Sequence, residues 1–500
     1  MDLFSNLALG LSVATDPSNL IYCFIGALLG TLIGILPGVG PTATIAMLLP
    51  ITFSLAPETS IIMLAGIYYG AQYGGSTTAI LLNLPGESSS AVTAIDGYQM
   101  ARNGRAGSAL AIAAIGSFVA GTLATFVVAA FAQPLTRLAL QFGPAEYFSL
   151  ILFGLISSIA LAHGSFLKAL AMIVLGLLMG IVGTDLYTGT PRFTFGILEI
   201  SDGIDFVAVA VGLFGVAEIV RNLEAGVSRE GTVSAITSLM PTREELARSV
   251  KPILRGTGLG AVLGILPGGG ALLASFASYA LEKKLSAHPE QFGRGAVEGV
   301  AGPESANNAG AQSSFIPMLT LGIPSNAVMA LIIGAMVIQG IVPGPTVITQ
   351  QPKLFWGIIA SMWIGNAMLL VLNLPLVGLW VKMLRIPYSV LFPAIIVFSA
   401  IGVYSVESNS FAVYTISVFG LLGYALAKLD CEPAPLLLGF VLGPMLEEQL
   451  RRAMIVGRGD PAIFVQRPIS AGLLIAAAAL LFIILLPLVR QKRDAVFVED

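Results

Sequence analysis

Two stretches of the sequence gather the side chains that could hold a small ion. Ser76, Thr77, Thr78, Asn83, Ser88, Ser89 and Ser90 make up the first. Glu304, Ser305, Asn307, Asn308, Gln312, Ser313, Ser314, Ser325 and Asn326 make up the second. Hydroxyls, amides and one carboxylate can hydrogen-bond an anion or ligate a hard cation, but they supply no nucleophile–base pair. Chain breaks accompany both stretches: Leu36-Pro37-Gly38-Val39-Gly40-Pro41-Thr42 and Leu84-Pro85-Gly86 early, Pro267-Gly268-Gly269-Gly270 and Ile323-Pro324-Ser325 late. A helix restarted after such a break offers unpaired N–H groups and the positive end of its dipole, and the carbonyls before the break can ligate a cation. We therefore expect substrate contacts at Gly38, Gly40, Thr42, Ser76, Thr77, Gly268, Gly270 and Ser325, and cation ligands at Asn83, Glu304, Asn307, Asn308 and Asn326. The competing role for each hydroxyl is a bond to the preceding turn of its own helix. Glu304 has no such role, and an ionisable group at membrane depth is expensive unless it is used.

What is missing narrows the chemistry further. With only His163 and His288, neither an HExxH motif nor any other two-histidine metal site can be assembled. No G-x-S-x-G elbow occurs, and no enzyme, transition metal or resident cofactor is expected. Gly38-Val39-Gly40-Pro41-Thr42-Ala43 fits a dinucleotide fingerprint in letters only, because the strand and βαβ unit that motif needs are absent. There is no basic residue from Met1 to Ala101 or from Gly295 to Pro352. An anion there would meet N–H groups, hydroxyls, amides and bound cations rather than a guanidinium. The alternative is an Arg reaching in from a distant span, such as Arg192.

The elements that position these groups must be membrane helices. Of 500 residues, 56% are hydrophobic and 11% charged, with 25 basic against 28 acidic, and mean hydropathy is +0.89. That is too little polar surface for a soluble chain of this length. The fold class is an all-α polytopic membrane protein with about 10–13 spans at ~20 residues each, discontinuous or re-entrant helices included. No basic cluster could take a nucleic acid, and Cys23 and Cys431 lie too far apart in the chain to suggest a disulfide framework. Met1 to Asn19 has no Lys or Arg and reads as a short interfacial helix rather than a cleaved signal.

The chain also repeats itself. Gly30 to Gly40 reappears as Gly260 to Gly270, each with a Gly-Ile-Leu-Pro-Gly core. A Gly-Ala-Gln triplet (Gly70-Ala71-Gln72; Gly310-Ala311-Gln312), a hydroxyl cluster and a proline break follow in the same order. This divides the chain into a first membrane repeat (1–220), a cytoplasmic linker (221–255), a second membrane repeat (256–489) and a polar tail (490–500). Basic residues follow the second break in one half (Arg102, Arg105) and the first break in the other (Lys283, Lys284, Arg294). The positive-inside rule then predicts repeats of inverted topology, the arrangement of secondary transporters with broken helices. One basic cluster near the C-terminus must break the rule, since Arg451, Arg452, Arg458 and Arg467 lie one span from Arg490, Lys492 and Arg493.

At these residues the sequence resembles the TctA family, the large membrane subunit of tripartite tricarboxylate transporters, over nearly its whole length. The specific pieces are GILPGVGPTATIAMLLPITF (34–53), YYGAQYGGSTTAILLNLPGE (68–87), DGYQMARNGRAG (96–107) and EGVAGPESANNAGAQSSFIPMLTLGIPSN (298–326). The resemblance implies a multi-pass permease of the bacterial inner membrane that imports a di- or tricarboxylate by symport with Na⁺ or H⁺. It also implies a small membrane subunit and a periplasmic solute-binding protein as partners, and it is compatible with a homo-oligomer. A stand-alone carboxylate symporter is the alternative, and a membrane-embedded enzyme the more distant one.

Overall fold

The structure, a computed structural model, describes residues 3–36, 40–139, 141–161, 165–185, 187–225, 239–266, 270–383, 388–407 and 409–485. Apart from a two-residue ladder pairing Gly183–Thr184 with Pro191–Arg192, its regular structure is helical. Five helical segments are long and apolar enough to cross a membrane singly: Pro17–Gly34, Ser88–Ala132, Phe206–Glu224, Pro352–Asn373 and Ser410–Lys428. Among the described residues there are six shorter apolar helices, and two of them, Pro41–Thr52 and Ala327–Ile338, start at proline-containing breaks of the chain. The chain is an all-α polytopic membrane protein.

Local chemistry fixes where the helices begin. Asp16 accepts from Ser18 N–H ahead of Pro17–Gly34, with Pro in the first turn where its missing donor costs nothing. Pro41 and Pro57 start their helices in the same way. Thr242 and Glu245 form a reciprocal capping box that opens Arg243–Leu263. That helix starts inside the stretch expected to be linker, so the boundary at 255 runs through continuous structure. Residues 226–238 and the 490–500 tail lie outside the described residues.

Each half is built on one closely packed pair of helices: Pro17–Gly34 on Pro57–Leu82, and Arg243–Leu263 on Glu298–Ser313. A Cβ on Gly30 would lie 2.2 Å from the carbonyl oxygen of Ile67, and one on the equivalent Gly260 would lie 2.3 Å from that of Ala306. Gly26 and Gly34 continue the first ladder over Met63 and Ala71; Gly256 and Gly264 continue the second over Gly302 and Gly310. Both ladders have an interval of four, so one face of each helix is bare backbone. The repeated glycines therefore build the same contact twice.

Around these pairs the core is aliphatic. Ala327–Ile338 is buried along most of its length and packs against Pro41–Thr52, Pro57–Leu82 and Pro433–Val456. The N-terminal helix Leu3–Ala14 lies on Pro352–Asn373, with Gly10 against the Trp356 carbonyl. It is thus packed onto a span. The apolar stretch 434–446 is the first part of a longer helix, Pro433–Val456, whose later turns carry Glu447, Glu448, Arg451 and Arg452.

Candidate functional site

Four helix starts from both halves meet at one cavity of about 260 Å³, the fourth being Glu432 and Ala434 at the start of Pro433–Val456. Gly40, Pro41 and Thr42 begin Pro41–Thr52; Gly270, Ala271 and Leu272 begin Gly270–Leu285; Asn326, Ala327 and Val328 begin Ala327–Ile338. Backbone N–H groups in a helix's first turn have no intrahelical acceptor, so each start turns donors and positive dipole toward the same space. The backbone is open here, for a Cβ on Gly40 would find no atom within 4 Å. Gly270 is held differently: its Cβ would meet Gly264 Cα at 2.6 Å, so the helix start is pressed against the preceding segment. Tyr68 and Gln72 close the cavity from Pro57–Leu82, and Glu87, Ser88 and Ser89 from the segment after Pro85. No Lys or Arg lines it among the described residues.

Behind this wall lies a buried polar network that joins the halves. Asn307 donates to Glu87 Oε1 at 2.9 Å. The Ser89 hydroxyl, with one proton to give, lies within hydrogen-bond reach of both Asn307 Oδ1, at 2.7 Å, and Glu87, and Gln72 lies against the same group. One turn along the Glu298–Ser313 helix, Glu304 is fully buried. It accepts from Ser76 at 2.6 Å and from Thr93. Asn308 donates to Ser117 at 2.7 Å. Tyr73 donates to Asn366 at 2.8 Å, and Asn366 in turn donates to the Phe118 carbonyl at 2.8 Å.

The expected site residues divide accordingly. Gly40, Thr42, Gly270 and Asn326 line the large cavity, while Ser76, Thr77 and Glu304 line a second, much smaller void. Asn307 and Asn308 bond side chains of the other half. Asn83 is not brought to either place. It is exposed, with φ 58°, and its N–H closes the Pro57–Leu82 helix on Ala79. Asn tolerates that left-handed conformation, which accounts for an amide at the break without a ligand. Ser325 is buried next to the cavity but its nearest acceptor is the Ser314 carbonyl at 3.4 Å. Asn326 spends its amide oxygen on Met329 N–H as a helix cap, and its nitrogen donates to Tyr68. Thr77, Ser305 and Thr320 bond their own preceding turns. Gly38 and Gly268 lie outside the described residues.

Tyr68, Glu87, Thr93 and Ser117 were not anticipated as site residues. Glu87 carried a signal, as an acid placed directly after Leu84-Pro85-Gly86 in a stretch with no base. The others had none beyond being polar. Arg192 does not reach the site: it pairs with Glu447 at 2.8 Å and Asp185 at 4.0 Å. The Tyr187 N–H, the Thr188 hydroxyl and Arg451 hold the Asp185 carboxyl below its ordinary range. Arg192→Gln should accordingly leave the half-saturating substrate concentration within about twofold in a binding titration. Thermal stability should fall by at most about 1 kcal/mol, the usual worth of a partly exposed pair. Abolished substrate binding in folded protein would restore Arg192 as the anion's partner.

The family described as "Tripartite tricarboxylate transporter TctA family" matches residues 20–438, well over half of the chain. An uncharacterized 52.8 kDa protein in the TAR-I ttuC' 3' region of Agrobacterium vitis is 66% identical over 500 residues, with 100% of both chains covered. An uncharacterized protein in the TAR-II ttuC' 3' region of the same organism is 67% identical over 241 residues, covering 48% of this chain and 100% of that one. No solved structure matches.

Proposed function

Because this chain belongs to the tripartite tricarboxylate transporter TctA family and is a membrane subunit of such a transporter, we propose that it imports a di- or tricarboxylate together with a cation, Na⁺ before H⁺. Its setting is the bacterial inner membrane, a periplasmic binding protein delivers the substrate, and a small membrane subunit completes the complex. The observation that carries this reading is the meeting of four helix starts, two of them at the repeated breaks, around one cavity with no base among the described residues. Such a cavity suits carboxylates held by backbone N–H groups and by Thr42, Ser88 and Tyr68 hydroxyls. The swapped basic loops support halves of inverted topology, the framework in which a midplane site of this kind serves alternating access.

Energetics favour a co-transported cation. One charge crossing 100 mV is worth about 2.3 kcal/mol, so a trianion entering an inside-negative cell faces roughly 7 kcal/mol. Acidic groups at the cavity, Glu87 and Glu432, also favour a cation beside the substrate. Proteoliposomes holding the complete transporter should lose at least tenfold of their carboxylate uptake when choline replaces Na⁺ at constant pH. Equal uptake in choline overturns the Na⁺ coupling. Full uptake by this chain alone would favour the stand-alone symporter.

A further inference from the structure

The void beside Glu304 lies apart from the substrate cavity and is about 10 Å³, the space of a single water-sized particle. Tyr73, Ser76, Thr77, Ser117, Glu304 and Asn373 stand around it. We infer that it is a Na⁺ site, with the Glu304 carboxylate and the Asn373 amide oxygen as its principal ligands. This rests on the cation-coupled reading above and gives that cation a place.

Two independent observations point to a ligand. Asn373 is 7% exposed and its Nδ2 donates to the Leu369 carbonyl at 2.9 Å, yet its Oδ1 has no hydrogen-bond donor among the described residues. An amide oxygen left bare at the edge of a void is costly unless something electropositive meets it. Glu304, fully buried, has hydroxyl donors but no Lys or Arg partner among the described residues. Buried charges are paired or ligate a metal.

The donor set selects the ion. It contains one carboxylate, one amide oxygen and four hydroxyls, with no imidazole or thiolate. Soft and borderline metals want nitrogen or sulfur, and Ca²⁺ sites generally draw on several carboxylates. One negative charge among neutral oxygens fits a monovalent hard cation. A carboxylate substrate is excluded by size alone. Ser76 lies one turn from Gln72 on the first half's helix, and Glu304 one turn from Asn307 on the second's, so ion and substrate sites share two helices. Occupation of one thereby reaches the Glu87–Asn307 contact at the other.

The test uses the full chain in nanodiscs, with ²²Na⁺ binding measured against choline as the inert salt. Asn373→Ala, whose lost bonds lie within its own helix, should raise the half-saturating Na⁺ concentration at least tenfold. Asn373→Asp should keep or lower it, and Glu304→Gln should remove binding. Carboxylate binding to Asn373→Ala should return to the wild-type level at high Na⁺. If wild type binds Na⁺ and all three variants bind it with the same affinity, the ion sits elsewhere and only this inference is lost. If wild type binds no Na⁺, both this site and the Na⁺-coupled reading are lost. Should Glu304→Gln fail to fold, the opposed shifts of the two Asn373 variants still decide the matter.

Discussion

Asp96→Ala is expected to lower the melting temperature of the protein sharply. Asp96 sits wholly buried in the Ala91–Met100 helix. Its Oδ1 accepts the N–H groups of Gly293, Gly295 and Ala296 at 2.9, 2.8 and 2.9 Å, and its Oδ2 accepts the Tyr279 hydroxyl at 2.9 Å. The loop it holds cannot easily find another shape, because Gly293 and Gly295 have φ 82° and 104°. Truncation leaves the enclosed N–H groups of Gly295 and Ala296 without an acceptor, at about 1–3 kcal/mol each, while the Gly293 N–H, on an exposed residue, can turn to solvent. Against a typical total of about 5–15 kcal/mol, that is a large share of the stability. Asp96→Asn keeps one oxygen for the N–H groups and should cost markedly less. Size-exclusion profiles and melting curves in detergent give the ranking. An Asp96→Ala protein that melts like wild type would show that the clamp is dispensable.

A second large effect is expected at the glycine ladders. Gly260→Ala places a methyl 2.3 Å from the Ala306 carbonyl oxygen and 2.7 Å from Ala309 Cβ, so the backbones must separate. Overpacking of this kind costs about 1–3 kcal/mol, and Gly260→Leu more, since nothing at a backbone-lined contact can rotate aside. Gly258 is the internal control. It lies two residues away in the same helix with no atom within 4 Å of a Cβ, so Gly258→Ala should be neutral or stabilising by up to about 1 kcal/mol. Equal melting points for Gly260→Ala and Gly258→Ala would mean that the helices are not in contact as described.

Much of this was written in the chain. The repeated Gly-Ile-Leu-Pro-Gly unit marked the two helix pairs, and the glycines 26, 30 and 34 or 256, 260 and 264 are periodic enough to give away their packed face. Glu304 was conspicuous as a carboxylate in apolar surroundings. Asp96 was not, because its partners are backbone groups some two hundred residues further on, and backbone donors leave no trace in a sequence. Asn373 and Ser117 look like ordinary helix polar residues until a void appears between them. Asn83 shows the opposite difficulty. The amide that suggested a ligand is explained by a helix ending in a left-handed turn, and sequence alone does not separate the two uses.

The interval of four in the ladders has a kinetic meaning. With a carbonyl seated under every fourth residue, neither helix of a pair can creep along the other by a fraction of a turn. The next register that seats all three glycines is about 6 Å away, at 1.5 Å per residue. Intermediate positions would ride glycine-flanking side chains over bare backbone. Each pair thus behaves as a notched bar that stays in its notch, and the rearrangement that the proposed transport calls for would be absorbed at the joints between bars, where Pro41–Thr52 and Gly270–Leu285 begin.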